Sequence, residues 1–238
     1  MFKLVSYSAT PEQWQEWLRV PLEHAAARGN LDLFNNLLGA GASGHAGWRG
    51  CRDRTLLDAA AVRGNEDIVA GLLEAAAQPD VKVMSFSSKR SALYTATMLG
   101  HEAAARLFVG AGADVNFQDP VLQRSVLLNE ATLGGHKQLV AELLIGGANP
   151  NCYDGDEGTS PLHIAAKKGF DGIVSTLLLR GADKNFFDVF GLTPLMWASE
   201  EGQLSVVRTL LAAGADASIR DNDGYSALDF AATRPMPR

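Results

Sequence analysis

Residues 160–183 read SPLHIAAKKGFDGIVSTLLLRGAD, from Ser160 to Asp183. Ser160 is placed to cap a helix whose first residue is Pro161, where a missing N–H costs nothing. Leu162, Ala165 and Ala166 give that helix a small, tightly packable face. Gly169 permits a sharp turn into a second helix, in which Ile173, Val174, Leu177 and Leu178 bury one side. The second helix stops at Gly181, a C-terminal position that favours the left-handed conformation. Ala182-Asp183-Lys184-Asn185 then forms a polar turn. One such unit is a helix hairpin with an apolar side and nothing of its own to bury it against.

The chain supplies the missing surface by repetition. Gly29, Gly64, Gly100, Gly135, Gly169 and Gly202 follow one another at steps of 35, 36, 35, 34 and 33 residues. Eight residues before them stand Pro21, Leu56, Ala92, Leu127, Pro161 and Pro194, and the next equivalent position is Ala227. After each glycine an apolar set recurs, as in Ile68, Val69, Leu72 and Leu73, or Val206, Val207, Leu210 and Leu211. A period near 33 marks a stacked repeat.

These residues resemble the ankyrin repeat. Its pattern of Thr-Pro-Leu-His, two alanines, a glycine, Ile-Val, Leu-Leu and Gly-Ala-Asp is almost intact in SPLHIAAKKGFDGIVSTLLLRGAD and in GLTPLMWASEEGQLSVVRTLLAAGAD. It is recognisable in four earlier copies, and YSALDFAAT opens a partial seventh. The resemblance covers residues 17–233 and implies an all-α solenoid of helix-turn-helix units joined by β-hairpin-like fingers. The units fall at about 17–50, 51–86, 87–121, 122–156, 157–189 and 190–222, with the partial copy at 223–233. Residues 1–16 form an N-terminal cap segment and 234–238 a C-terminal tail. Two departures stand out. Ala104 and Ala105 replace the usual Ile-Val, thinning the second helix of the third unit, and Glu130 sits on the surface of an inner helix. The array stops partway through a repeat, which leaves open that it is the arm of a longer protein.

Composition narrows the function. The chain has 238 residues, of which 47% are hydrophobic, 21 are basic and 27 acidic. Neither half is basic, with 11 bases against 13 acids up to Pro120 and 10 against 14 beyond it, so no general nucleic-acid surface is expected. Cys51 and Cys152 form neither a metal-ligand spacing nor a disulfide framework. No apolar run reaches the length of a membrane span, and no signal peptide opens the chain. The expectation is a soluble, monomeric, intracellular protein of the cytoplasm or nucleus.

Chemistry finds little purchase. Residues 39–44 fit the dinucleotide pattern G-x-G-x-x-G, but they follow a helix where that loop must follow a strand. His101-Glu102 opens like a zinc-protease motif, yet Ala105 occupies the second histidine's place. The acidic run Asp154 to Glu157 lacks the glutamate that a calcium loop needs at its twelfth position, where Ala165 stands. His163, His101 and His136 read as structural. No catalytic residue, metal site or cofactor is expected, and the chain is not expected to be an enzyme.

Binding remains. In the resembled family the concave face is built from first helices and projecting turns, and the two residues before each inter-helix glycine lie exposed on it. Here these are basic at the N-terminal end, with Arg28 and Arg63, and the neighbouring fingers add Arg52, Arg54, Lys89 and Arg90. They are apolar in the middle, at Met98, Leu99 and Leu133. They pass from Lys167-Lys168 to Glu200-Glu201 at the C-terminal end, beside the acidic Asp154, Asp156 and Glu157. An apolar centre inside charged surroundings is the anatomy of a protein interface. Phe190 and Leu192 flank Gly191 at a finger tip, with Tyr225 in the corresponding place of the last finger, and these are expected partner contacts. Trp197 follows the buried positions, and Phe186 and Phe187 pack beneath the finger. The resemblance therefore implies a scaffold or adaptor that holds a partner protein. Its alternatives are a regulatory or targeting arm of a larger enzyme or channel, or a substrate hydroxylated on the hairpin asparagines Asn116, Asn151 or Asn185.

Overall fold

A computed structural model describes residues 11–40, 56–75, 92–116, 118–119, 124–125, 127–155 and 157–233. The chain divides into two compact units, residues 1–113 and 114–238.

Among the described residues the first unit holds three helix pairs: α1 (Pro11–Arg28) with α2 (Leu31–Gly39), α3 (Leu56–Arg63) with α4 (Glu66–Ala75), and α5 (Ala92–Met98) with α6 (Glu102–Gly110). First helices stack on first helices, α1 on α3 and α3 on α5, and second helices on second helices, α2 on α4 and α4 on α6. This arrangement buries the recurring apolar set. Phe34, Ile68, Val69, Leu72 and Leu93 are fully enclosed. In α6 the small Ala104 and Ala105 are fully buried beside Phe108, whose ring adds volume at the position where other repeats carry leucine.

The register placed a helix start at Pro21, but α1 begins ten residues earlier and carries Pro21 inside it. The segment PEQWQEWLRV contains good helix formers behind a proline at the first helical position, so the helix nucleates at Pro11.

The second unit opens on a two-residue antiparallel ladder, β1 (Gln118–Asp119) against β2 (Arg124–Ser125), pairing Gln118 with Ser125 and Asp119 with Arg124. Three helix pairs and a last helix follow: α7 (Leu127–Leu133) and α8 (Lys137–Ile145), α9 (Pro161–Lys168) and α10 (Asp171–Leu179), α11 (Pro194–Glu200) and α12 (Leu204–Ala212), then α13 (Ala227–Thr233). Glu130 is half-buried in α7 rather than at the surface. The last finger closes with a single antiparallel bridge, Arg220 to Ser226.

Two sets of side chains lock neighbouring repeats in register. After three of the inter-helix glycines the next residue reaches back one repeat. Asn65 Nδ2 donates to the Gly29 carbonyl at 3.2 Å, and Gln203 Nε2 to the Lys167 carbonyl at 3.2 Å. His101 Nε2 lies 3.2 Å from the Val62 carbonyl. Gly169 is therefore constrained twice, by a φ of 74° and by the Gln203 side chain lying where a Cβ would be. The hairpin asparagines reach forward instead. Asn116 Nδ2 donates to the Gly147 carbonyl at 2.9 Å while its Oδ1 accepts from Asn149 N at 2.9 Å, and Asn151 repeats both bonds with Gly181 and Asp183.

Candidate functional site

The residues at the ends of the first helices stand where the register places them. Arg28, Arg63, Met98, Leu99, Leu133, Lys167, Lys168 and Glu200 are exposed, and Glu201 is half-buried. Met98 and Leu99 belong to one unit and Leu133 to the other. Some of the charges are already engaged. Arg63 Nε donates to the Ala27 carbonyl at 3.0 Å, and Lys167 Nζ sits 4.4 Å from the centre of the Trp197 ring. Arg52, Arg54, Lys89, Arg90 and Asp156 lie outside the described residues, as does Cys51.

The finger before α11 explains why an apolar residue can stand at a turn. Asp188 is buried and organises the finger with both carboxylate oxygens. Its Oδ1 accepts from Phe190 N at 2.9 Å and from Leu192 N at 2.8 Å, and its Oδ2 accepts from the Trp197 indole at 3.0 Å. The backbone is thus held from below, which leaves the Phe190 ring 57% exposed. Leu192 behaves differently: it is half-buried, and its carbonyl accepts from His163 Nε2 at 3.0 Å and from Asp188 N at 3.1 Å. One repeat on, Asp221 holds its finger in the same way, with Tyr225 at the place of Leu192 and Asp223 at that of Phe190. Tyr225 is exposed, while its N–H is held by Asp221 Oδ1 at 2.7 Å. Asp154 plays the same part in the preceding finger, accepting from Glu157 N and Thr159 N at 3.2 and 2.8 Å. What the sequence suggested was a solvated acidic tip is in part an internal brace.

His163 joins α9 to that finger. A carbonyl cannot donate, so Nε2 carries the proton toward Leu192, and Nδ1 accepts from Ser160 N at 3.3 Å and Ser160 Oγ at 2.9 Å. Burial pushes the imidazole below its usual range, against the opposing pull of the Leu192 carbonyl and of Asp188. Its ring packs edge-on to Trp197 at 5.7 Å and to Phe186 at 6.2 Å. Trp197 is half-buried between repeats, and Phe186 packs beneath the finger against Tyr153 at 6.1 Å. Phe187 does not pack beneath it and is exposed.

Between two fingers these rings leave a pocket of about 180 Å³, lined by Tyr153, Gly158, Phe186, Phe187, Asp188 and Val189. The sequence did not single out Tyr153 or Val189, and it shows no periodic signal for the pocket. The organising aspartates were visible, as Asp188 and Asp221 each precede a Gly-x-Thr/Ser by three residues. Exposure alone does not pick out a site, because Ile145, Leu179, Leu204 and Leu211 on second helices are exposed as well.

The unit's cysteine is enclosed. Cys152 is buried, and burial pushes its thiol from 9.0 up to about 12. In a Cys51→Ser background at pH 8, native chain should react with iodoacetamide at least about a thousandfold more slowly than unfolded chain, following the loss of thiolate. Alkylation at equal rates would show the thiol to be accessible.

The family model described as "Ankyrin repeats (3 copies)" matches residues 22–119 and 128–221. Cyclin-dependent kinase 4 inhibitor B of Mus musculus is 33% identical over 104 residues, covering 44% of this chain and 78% of that protein. B-cell lymphoma 3 protein homolog of Mus musculus is 30% identical over 167 residues, 69% of this chain and 36% of that protein. Among solved structures, the ankyrin repeat domain of Bcl-3 superposes with a TM-score of 0.71 at 25% identity, covering 89% of this chain and 93% of that one. No helix among the described residues is long and apolar enough to cross a membrane.

Proposed function

The chain belongs to the ankyrin repeat family, and from that premise we propose that it is a binding module that grips one partner protein and performs no chemistry. Ankyrin repeats mediate protein–protein interaction, so the question is which surface does so here. The observation that carries our reading is the pairing of exposed rings with an immobilised backbone. Phe190 and Tyr225 project from successive fingers whose N–H groups are fastened to Asp188 and Asp221. A contact presented on fixed backbone loses little entropy on binding, which is what a recognition surface needs. The first-helix residues Met98, Leu99 and Leu133 add apolar contacts, with Arg28, Arg63, Lys167, Lys168, Glu200 and Glu201 setting orientation.

The test is affinity capture from the source cells with three baits: the intact chain, Phe190→Ser with Tyr225→Ser, and Met98→Asp with Leu99→Asp and Leu133→Asp. All of these side chains are exposed, so the finger pair should unfold within about 0.5 kcal/mol of the intact chain. A protein retained by the intact chain and lost from the finger pair would support the fingers as the contact. Loss from the triple variant alone would move the contact to the first helices. Equal retention by all three would overturn both.

A second reading is favoured by one comparison. The match to B-cell lymphoma 3 protein homolog occupies 36% of that protein, so repeats of this kind are carried within longer chains. On that reading the same surface regulates or targets a larger protein.

A further inference from the structure

The pocket between the fingers has a chemistry of its own, and we propose that it receives the cationic side chain of an arginine or lysine from a basic segment of the partner. This rests on the fingers being a contact surface, and it names what they contact.

Size comes first. At about 180 Å³ the pocket is smaller than the roughly 300–1,000 Å³ of a small-molecule site, and suits a single long side chain. Its walls are aromatic: Tyr153 and Phe186 stand 6.1 Å apart at a tilt of 33°, and Phe187 is exposed beside them. Phe186 is also braced by His163, so that wall is fixed before anything binds. Ring faces are negative and attract a cation lying over them, most strongly where water is partly excluded. The same unit already uses this contact internally, with Lys167 over Trp197.

Charge decides between a cation and an uncharged side chain. Asp188 is among the residues that line the pocket, its carboxylate held by the Phe190 and Leu192 amides and the Trp197 indole. Among the described residues the turns at 149–160, 181–193 and 214–226 together carry seven carboxylates against two bases, Lys184 and Arg220. Arg220 is turned away, with Nη1 donating to the Gly224 carbonyl and lying 3.7 Å from Asp229. Hydrogen bonds from Ser218 hold Asp216 ionised, keeping its carboxyl below the usual range. An anion is repelled from this region. An apolar side chain would gain the rings but nothing from the carboxylates, whereas a cation gains both.

The test is an NMR titration of the full chain at low salt with three peptides, acetyl-Gly-Ser-X-Ser-Gly-amide, where X is arginine, lysine or norleucine. Norleucine keeps the alkyl stem and removes the charge. Amide shifts at Gly158, Phe187 and Val189 report the pocket. For X as arginine or lysine, binding should exceed norleucine by about tenfold, as expected of a partly desolvated cation–π contact. That advantage should shrink at high salt as the carboxylates are screened. Tyr153→Leu with Phe187→Leu keeps apolar walls but leaves Phe186 as the one ring of the lining, and should reduce the preference while leaving norleucine unchanged, the carboxylates and Phe186 supplying what remains. Norleucine binding as well as the cations, cationic shifts mapping away from these amides, or an undiminished preference in the leucine variant would each overturn the proposal. Capture by Phe190 and Tyr225 could still succeed in any of those cases, so failure here is distinct from failure of the fingers as a contact surface.

Discussion

Replacing His163 by alanine should destabilise the second unit by about 3 kcal/mol, seen as a lower urea midpoint in circular dichroism. Three losses combine. The imidazole is fully buried, so its removal leaves a void between α9 and the next finger. The Leu192 carbonyl loses one of its two donors, keeping the Asp188 N–H, and Ser160 loses the acceptor that completes the capping box at the start of α9. A change below about 0.5 kcal/mol would mean that the residue is not the link between α9 and the finger.

The same histidine gives a pH signature with a definite sign. Its folded pKa is lowered from 6.5, because burial disfavours the charged ring more than the Leu192 carbonyl and Asp188 favour it. The stabilisation it provides is therefore complete above that ordinary value and is lost as pH falls through 6.5 toward the folded value. His163→Gln retains polar groups but cannot titrate. The difference in stability between the native chain and this variant should narrow from pH 7.5 to pH 5. A difference that stays constant, or widens, would mean that the ring is charged in the folded protein.

How much of this the sequence disclosed depends on the distance between the partners. The helix pairs were legible because each depends on a local pattern: a cap such as Ser160, a proline at the first helical position, a glycine eight residues on, and an apolar set after it. Repetition made the pattern unambiguous. The exposed ends of the first helices followed from the same register. Start points that rest on local propensity were less secure. Pro21 matches Pro161 and Pro194 in position, yet the segment before it forms helix readily and α1 passes through. Contacts between repeats were the least legible. Tyr153 and Phe186 meet across 33 residues, and His163 meets Leu192 across 29, with no mark in either stretch that they do so. Leu192 and Phe190 look alike in the sequence, yet the first is half-buried and the second exposed.

Asp188 carries the finger, and its replacement by alanine should cost about 3–4 kcal/mol and release the tip. The change strands three donors at once: the Phe190 and Leu192 amides and the Trp197 indole. Asp221→Ala removes an equivalent acceptor from the Asp223 and Tyr225 amides, but that finger is exposed and water can replace the carboxylate, so the cost should be about 1 kcal/mol. The contrast isolates burial, since the two aspartates hold similar turns. Asp188→Asn should fall between them: one oxygen can still accept from the two amides, but the new NH₂ then faces the indole N–H, donor against donor. Urea unfolding of the three variants orders these costs, and equal values for Asp188→Ala and Asp221→Ala would show that the buried carboxylate does no more than its exposed counterpart. If the order holds, partner binding should follow it, because Phe190 is a usable contact only while Asp188 holds the backbone beneath it.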